Sequence, residues 1–259
     1  MAEYVQLGAV NTWYDEHGTG DPLVLMHGGL VDARFFAPNL AALSERFHVY
    51  TPERRGHGHT ADVDGPITYQ VMAQDTIAFL EKVVGSPADL VGHSDGAVVA
   101  MLVAMQRPEL VKRLVMISGG YHKSGEAMPD AEWDVEQITQ FLGPSYGEVS
   151  PDGEAHFPVV AEKIGQMAKT EPNLDVSQLA TVRQRSLVMF ADDDLMTLSH
   201  AVDMYDALPN AELAVVPGTS HFLTQEKPHL VNAIVLDFLT NDPVPTVAPI
   251  RRAPKPAEA

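Results

Sequence analysis

The chain contains no cysteine, so it builds no disulfide framework and no thiolate metal site. It is also poor in basic residues. Its 17 Lys and Arg stand against 35 Asp and Glu, a formal charge of −18 that repels nucleic-acid phosphates and anionic membrane surfaces. No long apolar run is present either: the longest, Ala97 to Met105, is far too short to cross a bilayer. The N-terminal stretch MAEYVQLGAV lacks the basic region and following apolar run of a secretion signal. Together these absences predict a soluble, cytoplasmic protein without nucleic acid or membrane as partner; they carry no information on oligomeric state. With 259 residues and 45% hydrophobic content, the chain can bury one sizeable core.

What is present is an alternation of short apolar runs with longer amphipathic ones, without a repeat at solenoid periods. Strands are predicted at Pro22 to Met26, Phe47 to Thr51, Ala88 to Val91, Leu114 to Ile117, Leu187 to Phe190 and Leu213 to Val216. Most are continuous aliphatic runs, as strands buried on both faces require. Between them, Tyr69 to Val84 carries Tyr69, Met72, Thr76 and Leu80 on one stripe. A final helix opens near Pro228 and turns Leu230, Ile234, Phe238 and Leu239 inward. The pattern predicts an α/β fold with a mostly parallel central sheet and helices on both faces, its core built from residues 1–120 and 183–240.

Two regions depart from that order. Residues 121–182 contain prolines at 129, 144, 151, 158 and 172 and no strand-like run, which predicts a helical cap inserted over the sheet. Its helices are expected over Pro129 to Leu142, burying Trp133, Val135, Ile138 and Phe141, and over Pro158 to Lys169, burying Val160, Ile164 and Met167. The second region is the tail from residue 241 to 259, dense in proline and short of large apolar groups, which is expected to be extended and mobile.

The stretch DLVGHSDGAV sets Ser94 between Gly92 and Gly96, after an apolar strand and before a helix of small aliphatic residues. A strand that turns sharply into a helix strains the residue at the bend and leaves no room for bulk beside it, which the two glycines supply. The hydroxyl then stands at the carboxyl ends of the strands, over a helix N-terminus that favours developing negative charge. A serine needs a base, and a base needs an orienting acid. His221, in a short loop after the last strand, is the candidate base. The run Asp192, Asp193, Asp194 follows the preceding strand and supplies three candidates for the acid; after the strand before that, no carboxylate appears until Glu126.

Gly-x-Ser-x-Gly followed by Asp and then His resembles the α/β-hydrolase superfamily over residues 3 to 240. In that family the acid commonly stands fourth in a Gly-x-x-Asp turn; Ala191 takes the glycine place here, so the resemblance points to Asp194, with Asp192 next. LVLMHGGL is similar to the family's oxyanion segment, which implies that the N–H groups of Gly29 and Asp95 hold the oxyanion and that His27 is structural. PERRGHGHT is similar to an Asp-x-Arg-Gly-x-Gly-x-Ser turn, with Glu53 and Thr60 replacing Asp and Ser; His57 and His59 within it lack a third ligand and are read as structural rather than as a metal pair. Epoxide hydrolases and dehalogenases of this fold use Asp where Ser94 stands, and cofactor-free haloperoxidases usually carry an aromatic and a Met where Gly29 and Asp95 stand, so both chemistries are disfavoured.

Asp95 is open to two readings: a helix first-turn acid pointing off the site, or, as in the valacyclovirase-like hydrolases whose Ser-Asp-Gly-Gly resembles SDGA, a carboxylate that binds a substrate amine. The resemblance as a whole implies a serine esterase working through Ser94, His221 and Asp194 without metal or other cofactor, with Trp133, Phe141 and Phe157 as lining residues. The substrate would be a carboxylic ester, an amino-acid ester among the options. Amide, lactone or carbon–carbon cleavage, or a ligand-binding receptor of the same fold, are the alternatives.

Overall fold

A computed structural model describes residues 2–129 and 132–251 of the chain. Its centre is an eight-stranded sheet of β1 (Glu3–Leu7), β2 (Val10–His17), β3 (Asp21–Met26), β4 (Phe47–Pro52), β5 (Ala88–His93), β6 (Val111–Ile117), β7 (Arg185–Asp193) and β8 (Ala211–Ser220), in the order β1-β2-β4-β3-β5-β6-β7-β8. β3 to β8 run parallel, while β2 pairs antiparallel with both β1 and β4. The six strands predicted from aliphatic runs are the six parallel ones. β1 and β2 were not among them: they form an edge hairpin joined at the two-residue turn Gly8-Ala9, with Gly8 at φ +59°, and only part of each strand is buried.

Alternate residues of the strands feed two cores. Val24, Met26, Leu90, Leu114, Met116, Val188 and Phe190 face α2 (Tyr69–Phe79) and α3 (Asp95–Gln106). Their neighbours Leu23, Leu25, Val91, Val115, Ile117, Leu187 and Met189 face α1 (Ala37–Ser44) and, at the end of the chain, α8 (Pro228–Thr240). Such aliphatic side chains contribute roughly 1.5–3 kcal/mol each when fully buried. Thr68 caps α2 by accepting from Val71 N–H, and residues 80–84 continue it as a wider π-helical turn that ends at Gly85, φ +68°.

Between β6 and β7 lie α4 (Val135–Gly147) and α5 (Phe157–Ala168). The helix expected from Pro129 starts six residues later, because Asp134 caps it by accepting from Gln137 N–H; residues 130 and 131 lie outside the described chain. That start sets the inward stripe as Val135, Ile138, Leu142 and Tyr146, so Phe141 faces outward. Several polar ties fasten this segment to the loops of the sheet, two of them small networks. Arg34, held by Asp32, donates to Ser145 O at 2.7 Å and Glu148 at 2.6 Å; Asp62, nearly buried, accepts from Lys163 Nζ at 2.7 Å and lies 3.0 Å from His156 Nε2. α6 (Leu198–Ala207) follows β7, and α7 (Leu223–Glu226) precedes α8.

No helix among the described residues is long and apolar enough to cross a membrane. Residues 241–251 of the tail carry no helix or strand, yet Arg251 stacks 3.7 Å from the Tyr205 ring and donates to Leu208 O. The mobility expected of the tail also concerns residues 252–259, which lie outside the described chain.

Candidate active site

β5 ends at His93 and α3 begins at Asp95, so Ser94 alone makes the turn. Its φ of +53° with ψ of −121° is a conformation that costs an L-residue on the order of 1–3 kcal/mol. The flanking glycines are obligatory: a Cβ on Gly92 would stand 2.3 Å from Gly96 O, and one on Gly96 2.0 Å from Met26 O. Ser94 N–H donates to Ile117 O at 2.8 Å, and one strand further Ser118 N–H donates to Met189 O at 2.8 Å, which ties the ends of β5, β6 and β7 together.

His221 follows β8, and its Nδ1 lies 2.7 Å from Asp194 Oδ1. With Nδ1–H donated to the carboxylate, Nε2 is left bare as an acceptor, the tautomer a general base needs. Of the three aspartates only Asp194 reaches the imidazole. Asp192 Oδ1 instead accepts from Thr219 N–H at 3.1 Å and braces the β7–β8 crossing, while Asp193 is the exposed last residue of β7. The Asp194 side chain is fully buried and also accepts from Ala191 N–H at 3.0 Å, Leu195 N–H at 2.8 Å and Ser118 Oγ at 2.5 Å. Burial alone would raise this carboxyl, but the His221, Ser118 and Ala191 donors outweigh it and hold it below its usual value. Ala191 has no left-handed backbone, so the glycine of the related turn is not required here. Beneath His221, the His93 ring donates from Nε2 to the His221 carbonyl at 2.8 Å and stacks on Phe35; burial first, then the neighbouring His221 charge, brings His93 down to about 3 and keeps it neutral.

The strand register also places the glycine-rich segment that follows β3. Met26 of β3 pairs with Gly92 of β5, so Gly28 comes up beside Ser94: a Cβ on Gly28 would lie 3.3 Å from Ser94 Cβ. Asp95 does not point off the site, which corrects the first of its two readings. Its Oδ1 accepts from Tyr69 OH at 2.6 Å, and its Oδ2 lies 2.3 Å from where a Gly29 Cβ would stand. The buried His27 accepts from Arg54 N–H at 3.3 Å through Nε2. Burial, then the Arg54 and His57 charges, holds it far below the usual histidine value, so it is a neutral strut.

The related turn that follows β4 is structural in its contacts. Glu53, fully buried, accepts from Ala33 N–H at 3.2 Å and from His59 N–H at 2.5 Å, with burial pushing its carboxyl up to about 8; Gly58, φ +54°, passes where any Cβ would strike it. Thr60 Oγ1 accepts from Trp13 N–H and donates to Glu53 O. His57 Nδ1 lies 2.9 Å from Arg55 O, and His59 stacks on Trp13. Among the described residues no group of three or more His, Asp or Glu side chains is arranged to hold a metal ion.

Ser94, Asp95, Ser118 and His221 line one cavity of about 220 Å3, to which the inserted segment adds Trp133 and Ala168 among others. The Ser94 hydroxyl is not hydrogen-bonded to the His221 ring; nucleophile–base contacts commonly tighten only around substrate. Trp133 lies against α5 at Gly165, with its Nε1–H donated to Ala161 O. The other two expected lining residues are elsewhere. Phe141 is 84% exposed and touches neither cavity, as the phase of α4 dictates, and Phe157 is buried in the wall of a second cavity of about 220 Å3 together with Leu30, Arg34 and His57. Three carboxylates, Asp95, Glu126 and Glu171, face the first cavity against one cation, Lys123. Tyr69, Ser118 and Arg54 were not singled out for the site from the sequence. Only Ser118 had a signal, as the residue just past β6, where an acid would otherwise stand.

The profile of the alpha/beta hydrolase family matches residues 23–234. Among curated relatives, RutD of Azorhizobium caulinodans, provisionally named a carbamate hydrolase, is 24% identical over 91% of this chain and 97% of its own. BpoC of Mycobacterium tuberculosis, provisionally named a non-heme bromoperoxidase, is 27% identical over 90% of this chain and 98% of its own. Among solved structures, the CarC serine hydrolase involved in carbazole degradation superposes with a TM-score of 0.79 at 20% identity, covering 93% of this chain and 98% of that one.

Proposed function

Since this chain belongs to the alpha/beta hydrolase family, we propose that it is a serine hydrolase that cleaves small carboxylic esters through an acyl-enzyme. The observation that carries the reading is the 2.7 Å contact from Asp194 to His221 Nδ1, which leaves the other ring nitrogen free in the cavity that the strained Ser94 also lines. In this reading Ser94 Oγ attacks the ester carbonyl while His221 Nε2 takes its proton; the oxyanion forms against the N–H groups of Gly29 and Asp95. His221 then passes the proton to the departing alcohol. Water, deprotonated by the same ring, releases the acid and restores Ser94.

The cavity is smaller than the about 300–1,000 Å3 usual for drug-sized ligands, which favours a small substrate. Its acidic wall favours one that carries a positive charge, and Asp95 faces it from beside the nucleophile. An α-amino ester has that charge next to the scissile carbonyl.

The test is turnover of a panel comprising a p-nitrophenyl ester, a valyl ester, a neutral ester of the valyl size and a carbamate, by the native protein, Ser94→Ala and Asp95→Asn. Ester turnover is expected to vanish in Ser94→Ala. Asp95→Asn is expected to lower kcat/KM on the valyl ester by about 10- to 10²-fold more than on the neutral one, the loss of one charge-assisted contact. Equal losses on the two esters would remove the amine assignment and leave the esterase reading standing. A preference for the carbamate would move the substrate class, and a native protein as inert as Ser94→Ala would end the hydrolase reading.

A further inference from the structure

The peptide unit joining Gly28 to Gly29 has its two ends in different surroundings. Its carbonyl points into the protein, where it accepts from Arg54 Nη2 at 2.9 Å and lies 2.8 Å from His27 Nδ1. A trans peptide is planar and carries its N–H opposite its C=O. The Gly29 N–H is therefore turned away from Arg54, and it donates to no described residue, while the Gly28 end of the same unit stands beside Ser94 Cβ.

Arg54 is the unusual member of this arrangement. It is 6% exposed and spends Nη2 on the Gly28 carbonyl, with His27 Nδ1 3.2 Å away, while its Nε and Nη1 meet no hydrogen-bond partner. No carboxylate forms an ion pair with it among the described residues. A buried charge of this kind is costly, and an apolar side chain of similar length would commonly serve packing better. Burial brings the guanidinium down to about 10, so at neutral pH it remains a cation, within the field of Asp95 and Tyr69.

We propose that Arg54 is a positioning residue for the oxyanion: it fixes the Gly28–Gly29 peptide with its N–H toward the nucleophile and supplies the positive potential that offsets the Asp95 carboxylate beside it. The charge of Asp95 would otherwise repel the negative charge that forms on the substrate carbonyl. Arg54 acts from below the loop and touches no substrate atom. The proposal rests on the serine-hydrolase reading, and the experiment separates the two.

The experiment compares the native protein, Ser94→Ala, Arg54→Met and Arg54→Gln on a neutral p-nitrophenyl ester. It also measures inhibition by an arylboronic acid, whose tetrahedral adduct with serine carries the charge of the intermediate, and the thermal midpoint. A native protein that turns over while Ser94→Ala does not establishes the underlying reading independently. Arg54→Met is then expected to lose roughly 10- to 100-fold in kcat and in boronate affinity together, less than the ~10²–10³ of a deleted oxyanion donor, with KM within about two-fold. Should Arg54→Met fail to fold, Arg54→Gln, which keeps a donor for the carbonyl but not the charge, is expected to lose about ten-fold in kcat at unchanged KM. A folded Arg54→Met with native kcat and boronate affinity overturns the proposal, as does a loss that appears only in KM or in the thermal midpoint, or an Arg54→Gln with native kcat.

Discussion

The rim of the sheet and the segment inserted between β6 and β7 meet across one cavity but are held in different ways. On the rim, Ser94, Ser118 and His221 are pinned through backbone atoms, by bonds to Ile117 O and Met189 O and from His93 to the His221 carbonyl, and Asp194 collects four donors. The inserted segment offers Lys123, Glu126, Trp133, Ala168 and Glu171 to the same cavity; its first turns share backbone bonds with the strand end at Leu195 and Thr197, but its helices are fastened through side chains, at Arg34, at Asp62 and at Glu171, which accepts from Tyr69 N–H. Chemistry demands fixed geometry to fractions of an ångström, while substrate choice tolerates a wall that varies, and the bonding follows that division.

The largest effect that would sharpen this contrast lies at the acid. Asp194→Asn is expected to lower kcat by about 10³- to 10⁴-fold, as the imidazole loses its tautomer, whereas Asp192→Asn, which disturbs only a strand crossing, should stay within about three-fold. Steady-state kinetics on one ester decides it, and equal losses would dissolve the distinction between the two aspartates.

Next is the floor of the rim. His27, His57 and His93 are buried and neutral, with His57 down to about 4 and His93 to about 3, in each case chiefly through burial. In the unfolded chain they take up protons near pH 6.5, so stability is whole above that pH and is lost as the pH falls toward the folded values, at up to about 1.4 kcal/mol per unit for each. Glu53, raised to about 8, works in the opposite sense between about 4.5 and 8, because the folded state keeps its proton there. Urea unfolding at pH 7 and pH 5 is expected to show a net loss on the order of 3 kcal/mol; equal stability at the two pH values would mean that the floor is hydrated.

At the inserted segment the effects shrink. Asp62→Ala removes the bonds from Lys163 and His156 and is expected to cost about 1–2 kcal/mol in urea unfolding, raise KM a few-fold and leave kcat in place. A drop in kcat as large as that of Asp194→Asn would show that the two regions are not separable. Smallest of all, Phe141→Ser should change stability by no more than about 0.5 kcal/mol and leave KM untouched, since this ring meets solvent.

The same division governs how much was legible beforehand. Strands buried on both faces announce themselves as aliphatic runs, which located β3 to β8 and, through the glycine-flanked bend, Ser94 and then His221. The edge hairpin of β1 and β2 is half exposed and has no such run. The run Asp192, Asp193, Asp194 does not by itself say which carboxylate turns inward, because neighbours in a chain differ in direction; the resemblance to a Gly-x-x-Asp turn pointed to Asp194, and the fold brings that one to His221. Phe141 was misplaced for a related reason: shifting the start of α4 rotates the whole stripe, and an exposed phenylalanine looks like a buried one until the phase is known. Tyr69 reads as one more member of an inward helical stripe and Arg54 as part of a charged turn; only the packing of α2 and the β4 turn against the rim brings them to Asp95 and Gly28.

The passage from β5 to α3 through a single residue has a practical consequence for anyone who aligns or re-engineers this chain. With zero spare length, that junction admits neither a gap nor an added codon: either would slide the strand against its helix and carry the hydroxyl off its perch. Tags, fused partners and new termini therefore belong elsewhere, for instance along residues 242–250, which are exposed and outside every helix and strand.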